Sequence, residues 1–209
     1  MADYKKVGFT RMADGTAADY QIVMDNTRRD RPHIVGHVLE LLEKLQTVNP
    51  SYQISRYHHS LQSATLAEAA GESEEYVVAA LLHDIGDSVA PENHSALAAA
   101  VLQPYVSDRT HWIVLHHGLF QGYYYLHHFG KDRNLRDTFK GHDYYQACVD
   151  FCAKYDQCAF DPKMPAKPLE HFLPAVKRLF AREPFSASKT AREGRSITSL
   201  GYAVAQANQ

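Results

Sequence analysis

Apolar residues recur at spacings of three and four along most of the chain. Ile34, Val35, Val38, Leu41, Leu42 and Leu45 form one such stripe, and Pro32 suits the first turn of the helix that carries it. Asn49-Pro50-Ser51 interrupts the pattern, and a further helix is predicted from about Gln53 to Ala70, ended by Gly71. Ser73, with Glu74 and Glu75 behind it, offers a capping hydroxyl and two carboxylates for the positive end of a helix dipole. Val77, Val78, Ala80, Leu81 and Leu82 carry that helix to His83. Pro91-Glu92 predicts another start and Ser107-Asp108 the next, which Gly118 is expected to stop. Segments from Asp143 to about Cys158 and from Pro168 to Arg182 complete the helices. Near the beginning, Thr16 and Asp19 have the spacing of a capping box, just after a turn at Asp14-Gly15. Alternating patterns are scarce, and Tyr123-Tyr124-Tyr125 is the sole β-like cluster. The expected fold class is all-α: a single helical domain over 1–182, then a polar, loosely attached tail over 183–209.

Composition narrows the classes. The chain has 209 residues, 45% of them apolar and 22% charged, enough for one real core. Its net charge is −2, and the 22 lysines and arginines are dispersed, which argues against a nucleic-acid ligand. No apolar run approaches membrane-spanning length, and the opening Met1 to Lys6 is too polar for a signal peptide. Three cysteines cannot all pair internally, which fits a reduced, cytoplasmic setting; Cys148 and Cys152 read as core thiols. Nothing points to a protein partner.

The unusual number is 13 histidines. His83 and Asp84 place an imidazole beside a carboxylate at the end of an apolar helix, where charge is costly unless paired or bound to metal. Adjacent helical side chains diverge by about 100°, so the two converge on one ion only if the helix ends there, or if Asp84 bridges two ions. Taken alone, the dipeptide fits a histidine cap beside a solvated aspartate better than a metal site. It is not alone: His59 lies 24 residues before His83, His94 lies 10 after Asp84, His117 another 23 and Asp156 another 39. Each falls on or at the end of a different predicted helix, which is how bundles build dinuclear metal sites. Of the neighbours His58 and His59, and of His116 and His117, one member each is expected to ligate. His111, His127, His128, His142 and His171 read as surface or supporting residues. Imidazole and carboxylate donors suit iron, and the lack of a cysteine cluster argues against structural zinc.

The pattern His…His-Asp…Asp resembles the HD-domain superfamily. Tyr57-His58-His59-Ser60-Leu61-Gln62, His83-Asp84-Ile85-Gly86, Asn93-His94, His116-His117-Gly118-Leu119-Phe120 and Lys154-Tyr155-Asp156-Gln157-Cys158-Ala159-Phe160-Asp161 narrow it further. These stretches, within about 52–162, resemble the mixed-valent diiron oxygenases, and the 1-hydroxyphosphonate oxygenases more than myo-inositol oxygenase. The resemblance implies an all-α HD-domain helical bundle holding an Fe(II)/Fe(III) pair. It implies that His59, His83, Asp84 and Asp156 hold one iron, that His94 and His117 hold the second, and that Asp84 bridges. It also selects His59, directly before Ser-Leu-Gln, and His117 from their pairs. The implied reaction uses O2 to cleave the C–P bond of a small 1-hydroxyphosphonate. The rival is a metal-dependent HD phosphohydrolase acting on a phosphoester, in which the metals activate water.

Departures from the family pattern bear on substrate. Relatives carry a basic residue where Asp87 stands, and their tyrosine–glutamate lid falls on Asn49 and Tyr52. Tyr52 remains a candidate displaceable ligand of the second iron. Lys154, Lys131 and Arg133 are candidates for the phosphonate, and Asp87 with Phe120, Tyr123, Tyr124 and Tyr125 for a cationic end. Aromatic faces beside a carboxylate suit a quaternary ammonium. The expected substrate is therefore (1-hydroxy-2-(trimethylammonio)ethyl)phosphonate, giving glycine betaine and phosphate. In the plainer alternative these tyrosines are a packed aromatic cluster and Asp87 a solvated cap.

Overall fold

Caps decide where the helices begin. In the computed structural model, which describes residues 4–189, α1 (Ala17–Asp30) starts from Thr16. The Thr16 hydroxyl accepts the Asp19 N–H and the Asp19 carboxylate accepts the Thr16 N–H, closing the capping box. Helix α2 (Ile34–Lys44) follows a 3₁₀ turn that holds Pro32. The chain breaks at Asn49, which has a φ of 44°. Helix α3 (Arg56–Ala69) begins three residues later than the pattern predicts, because extended Ser55 takes the His58 N–H on its side chain. Its exit is Gly71, at φ 77°, a left-handed position that costs a residue without Cβ nothing.

Helix α4 (Glu74–Leu82), capped by Ser73, is the centre of the molecule. Every residue from Tyr76 to Leu82 is buried, so the helix is apolar all round, as a helix with no solvent face must be. Helix α3 lies along it. Helix α5 (His94–Leu102) packs on α6 (Asp108–Gln121), which also touches α4. Helix α7 (Tyr145–Phe151) continues into a π turn over Cys152–Asp156, and α8 (Leu169–Phe180) covers α4 with Leu169, Phe172, Val176, Leu179 and Phe180. Burying each such side chain contributes about 1.5–3 kcal/mol against exposing it. The consequence for function is positional: the chain leaves its most buried helix at His83, and polar groups set there sit in the core.

Three expectations change. Helix α6 runs through Gly118 to Gln121 instead of stopping there. The glycine serves packing, since a Cβ at 118 would lie 2.6 Å from Ser95 Oγ and 3.3 Å from His94 Nε2. Tyr123-Tyr124-Tyr125 forms a 3₁₀ turn and its exit, and no strand occurs among the described residues. The segment 183–189 is docked, because Phe185 is buried and its N–H donates to Pro104 O at 2.5 Å. Ser188 Oγ donates to Asp108 Oδ1 at 2.5 Å; the rest of the expected tail lies outside the described residues. No described helix is long and apolar enough to cross a membrane.

Candidate metal centre

Six side chains from five places in the fold meet at one spot. Helix α3 brings His59, α5 opens with His94, α6 carries His117, and the π turn presents Asp156. Helix α4 ends at Leu82, leaving His83 as its cap, while Asp84 (φ −105°, ψ 5°) departs from helical geometry. That departure lets neighbours converge: His83 Nε2 lies 3.3 Å from Asp84 Oδ2. The two oxygens of Asp84 face different partners. Oδ2 faces His59 and His83, both at 3.3 Å, whereas Oδ1 faces His117 at 3.3 Å and His94 at 3.6 Å. Asp156 Oδ1 lies 3.4 Å from His59 Nε2 and accepts from Gln121 Nε2 at 2.9 Å. A π turn holds one residue more than an α turn, and this insertion sets the direction in which Asp156 leaves the helix.

The imidazoles are pre-set as donors to metal. His59, His83, His94 and His117 each turn Nδ1 to a backbone oxygen, of Ala159, Ala80, Pro91 and Val114, at 2.7 to 3.0 Å. A carbonyl only accepts, so Nδ1 carries the proton and Nε2 is left toward the centre, the arrangement found behind metal-bound histidines. His116 instead donates to Trp112 O at 2.8 Å and stacks on that indole at 4.1 Å, outside the group.

The charges also ask for a cation. Among the described residues lining the cavity, Asp84, Asp87 and Asp156 face Arg56 as their one lysine or arginine, three carboxylates to one guanidinium. Asp84 Oδ2 and Asp156 Oδ2 are buried and make no aligned hydrogen bond to a described residue. Arg56 Nη2 does approach Asp84 Oδ2 to 2.6 Å, an ion pair set off the direction of an aligned bond. Burial pushes the His59 imidazolium down, but hydrogen bonds to Asp156 and Asp84 outweigh it and raise the group to about 9. Burial pushes Asp84 up, and the charges of Arg56 and His83 with hydrogen bonds from His117 and His59 bring it well below the usual carboxylate range. His59, His83 and Asp156 form one compact set of donor atoms, and His83, Asp84 and His117 another. Residues 56–149 match the HD domain family. An HD domain is present over these residues.

HD domains bind divalent metals, and these buried groups fit that chemistry. Asp156 stands just beyond the matched span of the HD domain. No curated protein matches the chain.

A cavity of about 470 Å³ opens beside the centre of the HD domain, and Tyr52, Arg56, Asp87, His94, Tyr124 and Tyr125 are among its walls. Several sequence candidates for substrate binding lie elsewhere. Lys154 is exposed and paired with Asp150 at 2.8 Å, and Lys131 is exposed away from the cavity wall. Arg133 lies on the Tyr123 ring at 4.0 Å, with Arg136 on the same ring at 3.6 Å, so these charges are absorbed by an aromatic face. Phe120 has no exposed surface and packs with Trp112, Phe139 and Tyr145 in the core. Tyr52 lines the cavity at its His59 side, against Phe160, which stacks on the His59 ring at 4.2 Å. Asp87 lines it too, but accepts from Arg56 Nε at 2.9 Å and lies 3.3 Å from His94 Nδ1, so its charge is engaged.

Arg56, Gln121 and Phe160 join the site without having been singled out from sequence. Spacing carried the signal for two: Arg56 precedes His59 by three residues and Gln121 follows His117 by four, one helical turn in each case. Phe160 lies in a loop after the π turn, where no periodicity marks it.

Proposed function

We propose that the chain is a mixed-valent diiron oxygenase that uses O2 to cleave the C–P bond of a small 1-hydroxyphosphonate. The observation that carries the dinuclear reading is the division of Asp84, one oxygen toward His59 and His83 and the other toward His117 and His94. His59, His83, Asp84 and Asp156 would hold one iron and His94, His117 and Asp84 the other. When bound, the Fe(II)/Fe(III) pair supplies oxygen activation and removal of the hydrogen on the hydroxyl-bearing carbon. The motifs around His59 and Asp156 favour the oxygenase over an HD phosphohydrolase. The reaction balances without another reductant: RCH(OH)PO3H2 and one O2 give RCOOH and H3PO4.

The chain's own residues hold and enclose the reactants. Carbonyls of Ala80, Pro91, Val114 and Ala159 fix the imidazole tautomers. Gln121 orients Asp156, and Phe160 shields His59 from water. Tyr52, Tyr124 and Tyr125 offer ring faces to the end of the substrate remote from phosphorus. Rings that neither need nor offer a strong hydrogen bond favour a trimethylammonium over a primary ammonium. The substrate proposed is (1-hydroxy-2-(trimethylammonio)ethyl)phosphonate, giving glycine betaine and phosphate.

The test is oxygen uptake by iron-loaded protein, with electron paramagnetic resonance of the iron. A mixed-valence signal that changes on adding substrate, with stoichiometric loss of O2 and release of phosphate, is expected. Full-rate phosphoester hydrolysis without oxygen, by zinc- or manganese-loaded protein, would replace this reading with the hydrolase. A higher kcat/KM for 2-amino-1-hydroxyethylphosphonate would reject the quaternary-ammonium preference and leave the oxygenase standing.

A further inference from the structure

We propose that Arg56 is the residue that grips the phosphonate group of the substrate, an assignment that rests on the phosphonate reading above. Among the described residues lining the cavity Arg56 is the only lysine or arginine, so a phosphorus oxyanion entering beside the metals meets one full side-chain cation there. Its side chain is 12% exposed, and its guanidinium is held on several sides. Nε donates to Asp87 Oδ2 at 2.9 Å, Nη2 approaches Asp84 Oδ2, and the carbon of the fork lies 5.6 Å from the Tyr52 ring and 5.8 Å from Phe160. A guanidinium has five N–H donors in a rigid fork. The Asp87 bond uses Nε and fixes the plane, while neither Nη atom makes an aligned hydrogen bond to a described residue.

Metal loading changes what those Nη donors face. Without metal, Asp84 is a bare buried anion and Arg56 is its nearest cation. Once Asp84 shares its charge with two cations, its attraction for Arg56 weakens, and the same donors are available to an incoming oxyanion. Two parallel N–H donors match two phosphonate oxygens, which a point-charge ammonium cannot reproduce. Asp87, standing where relatives carry a basic residue, is then a positioning residue: it aims the arginine.

The experiment uses full-length, metal-loaded protein as wild type, R56Q and R56K. Metal content is measured by elemental analysis, and binding of ethylphosphonate, which lacks the reactive hydroxyl, by titration calorimetry. R56Q is expected to keep its metals and lose roughly tenfold or more in affinity, the low end for a charge-assisted hydrogen bond. R56K should recover only part of it. Ethylphosphonate affinity in metal-replete R56Q within twofold of wild type overturns the assignment. Should R56Q fail to fold or to hold metal, wild-type protein decides by phenylglyoxal labelling read by peptide mass spectrometry. Ethylphosphonate must then slow modification of Arg56, and an unchanged labelling rate rejects the proposal. Failure of the oxygenase reading looks different: Arg56-dependent ethylphosphonate binding persists, but hydroxyphosphonates consume no O2.

Discussion

Replacing Gly86 with alanine should remove one metal and leave the other. A methyl carbon built at Gly86 lies 2.5 Å from His94 Cα and 2.8 Å from its carbonyl carbon, and the His94 carbonyl oxygen is also in collision. Carbon atoms settle at about 3.5–4.0 Å, so the first turn of α5 must retreat by about 1 Å. The opposing atoms are backbone, so no side-chain rotation relieves them. Nor can Gly86 withdraw freely, because its carbonyl accepts from Val89 and Ala90 at 3.0 and 2.8 Å. His94 is the proposed ligand with least to spare, its Nε2 already 3.6 Å from Asp84 Oδ1 against 3.3 Å for His117. His59, His83 and Asp156 ride on other elements and keep their places. Overpacking of this kind costs about 1–3 kcal/mol, so the variant should fold with a lowered melting temperature. Elemental analysis after metal loading should find the content falling from two ions per chain toward one. Retention of two tightly held metals in G86A would refute the claim that this close approach sets His94, and loss of both would refute its independence from the first set.

Asp84→Ala should lose both metals and all activity, since the proposed bridge gives one of its oxygens to each metal; two metals per chain in that variant would end the bridging assignment. Gly36→Ala, inside α2 with nothing within 4 Å of an added Cβ, should stabilise the fold by about 0.5–1 kcal/mol, and a lower melting temperature would contradict that. In metal-free protein burial pushes His59 down, but the Asp156 and Asp84 carboxylates outweigh it and raise the group to about 9, above the roughly 6.5 of an unfolded chain. Its contribution to stability is therefore complete below the unfolded value and lost as pH rises through the folded one; a melting temperature flat from pH 6.5 to 9 would count against it. Glu75 accepts from Ser107 N–H at 2.9 Å and from Arg182 at 2.5 Å, a latch between α4, the start of α6 and the end of α8. Glu75→Gln should lower stability by roughly 1.5–3 kcal/mol in chemical denaturation, as for hydrogen bonds to a charged group, and an unchanged midpoint would show the latch to be idle.

Local chemistry was legible where it is local. Ser73 and Thr16 announce their helices because a cap is a contact within one turn, and the stripe from Ile34 to Leu45 reports its own buried side. Gly118 misled because a glycine needed for close packing looks the same in sequence as one that ends a helix. A gathering of His83, Asp84, His94 and Asp156 with one histidine of each neighbouring pair was readable from residue types that are costly to bury singly, whereas the choice of His59 over His58 and of His117 over His116 came from the family resemblance. The substrate side was harder. Lys154, Lys131 and Arg133 are near the motif in sequence, but Asp150 and Tyr123 claim two of them and Lys131 stays at the surface. Arg56 escaped notice because an arginine on a helix is ordinary until the carboxylates facing it, 28 and 31 residues later, are known.

The π turn makes chain length, more than residue identity, the quantity to guard between Cys152 and Asp156. Gln157 N–H reaches back five residues to Cys152 O at 2.9 Å, a wider loop than a helix prefers. Removing any one residue from this stretch would let α7 close with ordinary hydrogen bonds and give a more regular helix. It would also swing every later side chain by about 100°, carrying the Asp156 carboxylate off His59. Substitution scanning would pass over Ala153 and Lys154 as replaceable, whereas a library of single-residue deletions should find chains there that are folded, well behaved and short of a ligand.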